Sequence, residues 1–410
     1  MDSISRRNLI KGIAATGALL GAGAVGGRTL LHDESPESLV PFFGKHQSGI
    51  TTPHQRNLRF VSLDLSTTKK DDVVELLKRW TLLASTLTAG SVESKQASYD
   101  SPPVDTGEVL GSASSNLSIT FGFGPTLFQS EDGVDRFGIS GQSPKDLVQL
   151  PALPRDQIIP GASHGDLCIQ VCADDPQVSF HASRNLIREA FGIADLRWAQ
   201  AGFLGKFAEA SHTTTPRNLL GFKDGTANPK TSVAAEMDAD IWIDDPSEPQ
   251  WLQGGAYLAV RKIKNIVETW DRTSLREQEN IIGRTKSFGA PLSGGDEFTE
   301  IDLKMKNGKG EFVVPEKSHV RIAHPDNNAG RKMLRRGFNY DDGSDFVGRT
   351  SAGLFFMAYQ KSLSKNFIPV LQSLASQDAL NEYISHIGTG VFAIPSGVLS
   401  RNDFIGQQLF

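Results

Sequence analysis

The chain's 410 residues are 39% apolar and 22% charged, with a formal net charge of -5 at pH 7. That composition describes an ordinary globular protein with room for two domains. The acidic balance, with no Lys/Arg block interleaved with aromatics beyond the N-terminus, excludes a nucleic-acid footprint.

Residues 1–31 read as an address. Ser5-Arg6-Arg7 is followed by Leu9-Ile10-Lys11 and a Gly/Ala-rich apolar run from Ile13 to Gly26, too short and too weakly hydrophobic for a membrane span. This is the pattern of a twin-arginine export signal. The expected destination of the folded protein is the periplasm, another extracytoplasmic space or the cell surface. Residues 32–55, with their Pro, Ser and Gly, read as a tether.

An N-terminal domain is expected over 56–215. Asn57–Leu65 reads as a strand, and Asp71–Leu87 carries Val73, Leu76, Leu77, Trp80, Leu83 and Leu87 on one helical face. Ser91–Asn116 is a polar surface excursion. Asn116–Gly122 and Asp166–Cys172 are β-rich, and Val178–Phe191 is an amphipathic helix with Phe180, Ile187 and Phe191 as its apolar residues. Along such a strand Cys168 and Cys172 lie about 13 Å apart, too far for a disulfide. Two small buried residues are expected instead, and no zinc or iron-sulfur ligand set is available.

The second domain, 216–410, repeats the order. Gly255–Val260 is a strand, Leu275–Ile282 a helix, Val320–Ala323 and Gly353–Tyr359 strands, and Asn366–Ala375 a helix. Asn228–Gln253, acidic and with several Pro, is a second surface excursion. The expected fold class is therefore α+β, with two duplicated ferredoxin-like β-α-β-β-α-β domains.

Leu220-Gly-Phe-Lys-Asp-Gly-Thr-Ala-Asn-Pro229 sets Asp224 between two glycines and ends in a turn dipeptide, so it reads as a loop. Alone, Asp224 fits an Asx-turn or a helix cap equally well. Of the nine histidines, His32, His46 and His54 precede the expected domains, and His164, His181, His212 and His386 stand alone. His319 keeps different company. It sits in Pro315-Glu-Lys-Ser-His-Val-Arg-Ile-Ala-His-Pro325, at the start of an expected strand, and is followed by Leu334-Arg-Arg-Gly-Phe-Asn-Tyr340.

Together with Ile119-Thr-Phe-Gly-Phe-Gly-Pro125, Gly165-Asp-Leu167, Arg197-Trp198, Ile282-Gly-Arg284 and Gly388–Pro395, these segments closely resemble the dye-decolorizing peroxidases. The likeness is to the exported branch also called deferrochelatase/peroxidase, and it covers most of the chain. It implies two ferredoxin-like domains with one haem b per chain, held between them or against the second. His319 then matches the proximal iron ligand, Asp224 the distal acid–base residue and Arg335 the distal arginine. Gly225, Thr226 and Ala227 match haem-edge contacts, where backbone must approach the porphyrin closely. His324 and Pro325 fall in a stretch that touches haem in relatives, often with Asn where this chain has His324. His324 is therefore a competing ligand, although the Ser318-His-Val-Arg321 frame favours His319. Asp378 aligns loosely with a carboxylate that accepts the proximal imidazole N–H, and otherwise reads as a helix N-cap.

The implied reaction reduces H2O2 to water through an oxoferryl porphyrin, with Asp224 moving the peroxide proton and Arg335 stabilising charge as the O–O bond breaks. Aspartate, unlike histidine, remains a base in mild acid, so activity favouring mildly acidic conditions is expected. Leu354 and Phe356 resemble pocket-lining residues, and Tyr340 is a candidate electron relay to reductants too large to enter. The implied partners are H2O2 and a small-molecule reductant: dyes, phenols, or iron and porphyrin species. A membrane iron-uptake partner and a homodimer stay open. The alternative is a haem-binding or iron-uptake component without turnover, which would have no need of a distal acid paired with arginine. Chlorite dismutation, the third reading, is disfavoured by the distal Asp.

Overall fold

The computed structural model describes residues 39–90, 98–112, 115–205 and 215–410. The twin-arginine segment, His32 and His212 lie outside these residues.

Among the described residues nine strands form one antiparallel sheet. They are β1 (Asn57–Leu65), β2 (Ser118–Phe123), β3 (Leu167–Ala173), β4 (Ala194–Phe203), β5 (Ala256–Asn265), β6 (Leu334–Arg335), β7 (Phe338–Ser344), β8 (Thr350–Gln360) and β9 (Ile384–Ile394). The order is β5-β9-β2-β3-β1-β4-β7-β8-β6, and β5 also pairs with β8, so eight strands close into a ring with β6 flanking it. Within the halves the runs are β2-β3-β1-β4 and β7-β8-β5-β9. They meet through one residue pair at each seam, Phe123 with Ala393 and Phe203 with Asn339.

Closure explains the composition of the strands. One set of alternate residues, including Leu58, Phe60, Cys168, Cys172, Leu258, Phe355, Met357 and Phe392, packs together in a shared core. The opposite set, including Val61, Leu63, Ile169 and Val171, packs with helices α1 (Lys70–Thr88) and α2 (Pro176–Glu189). Strands buried on both faces read as near-continuous apolar runs. The two helices are tied where Trp80 Nε1–H donates to Leu186 O at 2.8 Å. Both cysteines are buried and free.

Several expectations need correction. Residues 39–55 are not a free tether: Phe42, Gln47, Ile50 and Gln55 are buried, and Gly44 N–H donates to Val398 O at 2.9 Å. The acidic insert after Asn228 buries Met237, Ile241, Trp242, Trp251 and Leu252, so its polar composition hides an apolar stripe. On α2 the buried residues are Val178, Ala182 and Leu186 among others, whereas Phe180 is 40% exposed and Phe191, past the helix end, 90%. Val320–Ala323 belongs to a helix, α4 (His319–Ala323), and not to a strand. Leu275–Ile282 is helical as expected and becomes α3. Asn366–Ala375 lies in a π-turn, Leu363–Phe367, that runs into α5 (Ile368–Gln377).

Candidate active site

A cavity with room for water-molecule centres over about 270 Å³ is lined by α3, α4, α5, β5, β8 and the Asp224 loop, with Ile282, Val320, Leu354, Phe356 and Leu371 among its apolar residues. Asp224, Gly225, Ala227, His319, His324, Pro325, Arg335 and Asp378 all line it. Residues drawn from segments more than a hundred positions apart are thus brought to one chamber.

Helix α4 begins after Ser318, and Ile322 N–H donates back to Ser318 O at 3.1 Å. Gly283, which ends α3 with φ +92°, lets that helix end lie against α4: a Cβ there would stand 2.4 Å from Val320 Cγ2. His319 Nδ1 meets Asp378 Oδ2 at 2.6 Å, while Asp378 Oδ1 accepts Leu380 N–H at 2.8 Å. Asp378 is therefore both cap and imidazole acceptor, each role using its own oxygen. Burial alone would lower the His319 pKa; the Asp378 carboxylate, with a smaller contribution from Asp224, outweighs it and raises the pKa above its usual value. With Nδ1–H donated, the lone pair of Nε2 is left for a ligand.

His324 differs at this atom. Its Nδ1 accepts Asp326 N–H at 3.2 Å, which puts the ring hydrogen of the neutral imidazole on Nε2. It lines the cavity as an N-cap for Pro325–Asn327, with its ligating lone pair already engaged.

In the loop, Gly225 takes φ +116°, a conformation suited to glycine. Asp224 Oδ1 faces Arg335 Nη1 at 3.4 Å. Thr226 is turned away from the cavity, its hydroxyl donating to Glu297 Oε1 at 3.2 Å, and Lys223 pairs with the other Glu297 oxygen. Glu297 thus grips the loop on both sides of Asp224, a role that nothing in its local sequence signals. Sequence reasoning also missed a charged part of the cavity wall. There Arg261 pairs with Asp156 at 2.6 Å and donates to His386 Nδ1 at 3.1 Å. Tyr340 is fully buried beside Lys262, whose Nζ lies 4.7 Å from its ring centroid.

Among the described residues no group of three or more His, Cys, Asp or Glu side chains is placed to hold a metal ion. His319 alone therefore cannot complete a protein-only metal site. One imidazole with a free Nε2, apolar lining, an acid and a guanidinium within electrostatic reach of that imidazole, and further cations at Arg284, Arg331 and Lys332 fit an iron porphyrin with carboxylate side chains. The fold and site thus have the make-up of a haem enzyme.

The comparisons give the class its family. The N-terminal pattern of the Dyp-type peroxidases matches residues 47–204 and the C-terminal pattern residues 215–399. Deferrochelatase from Escherichia coli strain 536 is 38% identical over 419 residues, covering 99% of this chain and 96% of that protein. Its namesake from Yersinia pestis is 36% identical over 423 residues, covering 99% and 95%. Among solved structures, DtpA from Streptomyces lividans in an oxyferrous complex is 39% identical with a TM-score of 0.83, covering 91% of this chain and 98% of that one. A DyP-type peroxidase from Streptomyces coelicolor is 40% identical with a TM-score of 0.84, covering 91% and 97%. The chain belongs to the DyP-type peroxidase family, a family of haem peroxidases.

Proposed function

We propose that the protein binds one haem b per chain through His319 and reduces H2O2 to water at the expense of a small-molecule reductant. The observation that carries the proposal is the placement of Asp224 and Arg335 in the same cavity as an imidazole whose Nδ1–H is given to Asp378. When bound, the haem supplies a redox-active iron that accepts peroxide. The chain does the rest. His319 is oriented by Asp378. Asp224 takes the proton from one peroxide oxygen and returns it to the other, which leaves as water. Arg335 presents N–H donors to the charge that develops as the O–O bond breaks. The apolar lining around Leu354 and Phe356 keeps bulk water from competing for that proton.

In this reading Gly225 and Ala227, which line the cavity, border the haem, and His324 and Pro325 serve as wall and not as ligands. The strand runs β2-β3-β1-β4 and β7-β8-β5-β9 support two ferredoxin-like domains, 56–215 and 216–410, the second carrying the haem residues. Dyes, phenols and iron or porphyrin species are the proposed reductants, the last supported by relatives named deferrochelatase. Export through Arg6-Arg7 completes the proposal.

The decisive experiment records the spectrum of the haem-loaded chain before and after one equivalent of H2O2, then repeats it by stopped flow with Asp224→Asn and Arg335→Leu. Slowing by about 10²–10⁴ is expected for the aspartate variant. A chain that binds haem stoichiometrically but leaves H2O2 unconsumed is a carrier. Wild-type rates for Asp224→Asn from pH 3 to 7, with Arg335→Leu inactive, would make the carboxylate merely positional.

A further inference from the structure

Asn228, which the sequence marks only as half of a turn dipeptide, makes three hydrogen bonds to one residue. Its Nδ2–H donates to Arg335 O at 2.7 Å, and its Oδ1 accepts both Arg335 N–H at 3.2 Å and Arg335 Nε–H at 3.1 Å. Only one orientation of the amide satisfies all three. The side chain therefore pairs with the main chain of Arg335 as a neighbouring strand would, and holds the root of the guanidinium as well. Asn228 is itself fixed by a turn, its N–H donating to Gly225 O at 3.0 Å, and β8 backs Arg335 from the other side.

The consequence lies in a distance. A free guanidinium and carboxylate close to about 2.7–2.9 Å, often in bidentate form. Here Asp224 Oδ1 and Arg335 Nη1 stand 3.4 Å apart, in a single contact. A tight pair would occupy the oxygen that must take a proton and the N–H groups that must meet developing charge. We infer that Asn228 is a positioning residue that holds Arg335 off Asp224, keeping both groups directed to the cavity and not to each other. This rests on the peroxidase reading for its consequence, but not for its geometry.

Two measurements test it. In crystals of Asn228→Ala, which need no haem, the Asp224–Arg335 separation should contract below about 3.0 Å; an unchanged separation overturns the inference. In the haem-loaded chain, fluoride titrated optically reads the distal donors without turnover. Asn228→Ala should weaken fluoride binding about tenfold or more, Arg335→Leu at least as much, and the double variant no more than Arg335→Leu alone. Wild-type fluoride affinity in Asn228→Ala, or losses that multiply in the double variant, would refute action through Arg335. If the alanine variant does not fold, Asn228→Ser takes its place in both measurements. Failure of both to fold, with Arg335→Leu folding normally, would assign Asn228 to fold stability alone. Absence of a haem spectrum from the unsubstituted chain counts against the peroxidase reading and leaves the crystallographic test to decide this one.

Discussion

Asp378→Asn offers the sharpest test of the proximal side because the two carboxylate oxygens have separate partners. Asparagine cannot satisfy both and also leave Nε2 unprotonated. With its oxygen on Leu380 N–H, its NH2 faces His319 Nδ1 and drives the ring hydrogen onto Nε2, blocking the ligand atom. Flipped, the NH2 meets Leu380 N–H donor to donor. In that orientation one bond at a buried site is lost, which costs about 1–3 kcal/mol of stability; in the other both bonds survive, and what is lost is the Nε2 lone pair. At a ligand's supporting shell either loss weakens retention of the group by about 10–100-fold. Haem titration and redox potentiometry are the assays. Weaker haem binding and a higher Fe(III)/Fe(II) potential are expected, because a neutral partner removes imidazolate character. Unchanged haem affinity and potential, with only a lower melting temperature, would leave Asp378 as the cap of Ala379–Glu382 and nothing more.

Gly283→Ala should destabilise the fold by about 1–3 kcal/mol and speed haem loss, since its Cβ would strike Val320 beside His319; thermal melts and haem-release kinetics check both. Glu297→Gln should cost about 1–3 kcal/mol in denaturant unfolding and slow the H2O2 reaction, as Lys223 loses its partner and the Asp224 loop loosens. Burial and the Arg261 guanidinium hold His386 near pKa 4 against an ordinary 6.5, so the unfolded chain binds more protons between those values. Stability should therefore fall as pH drops from about 6.5 to 4, by up to about 3 kcal/mol. His386→Gln, which can still accept from Arg261 Nε, should flatten that slope in denaturant midpoints, and an unchanged slope would mean that His386 titrates normally. Replacing Arg6 and Arg7 together by Lys should trap haem-loaded precursor in the cytoplasm on fractionation, because the export machinery reads guanidinium pairs; continued export would show that the signal is misread.

What could be read from the sequence was what is local. Asn57–Leu65 and the helix beginning near Asp71 were legible because each has a period that only one backbone geometry explains. β4, with the burial alternating poorly along Ala194–Phe203, and β7, ending in Asp-Asp-Gly-Ser, carry no such period. They are strands because β1 and β8 lie beside them. Closure of the ring was invisible for the same reason: each seam is a single residue pair. Residues 39–55 looked like part of a tether because Gly, Pro and Ser are as many there as the apolar residues. Their docking depends on contacts supplied from elsewhere, including Arg336 Nη1–H donating to Thr52 O at 2.6 Å.

The misread helix at His319 shows what such an error changes. On a strand, His319 and Arg321 would share one face and Val320 the other. In α4 and its C-cap the residues that line the cavity are His319, Val320, Ala323 and His324, one face of a helical turn. Arg321 turns the other way, its Nε–H donating to Val314 O at 3.0 Å and an Nη2–H to Leu303 O at 2.7 Å. The helical turn thus offers an imidazole beside small apolar groups and keeps a neighbouring cation out of the chamber. A strand would have put that cation beside the imidazole. With Pro315 before Ser318 and Pro325 after His324, there is room for little more than this one turn, and β-branched Val320 and Ile322 gave a strand signal that the two prolines override.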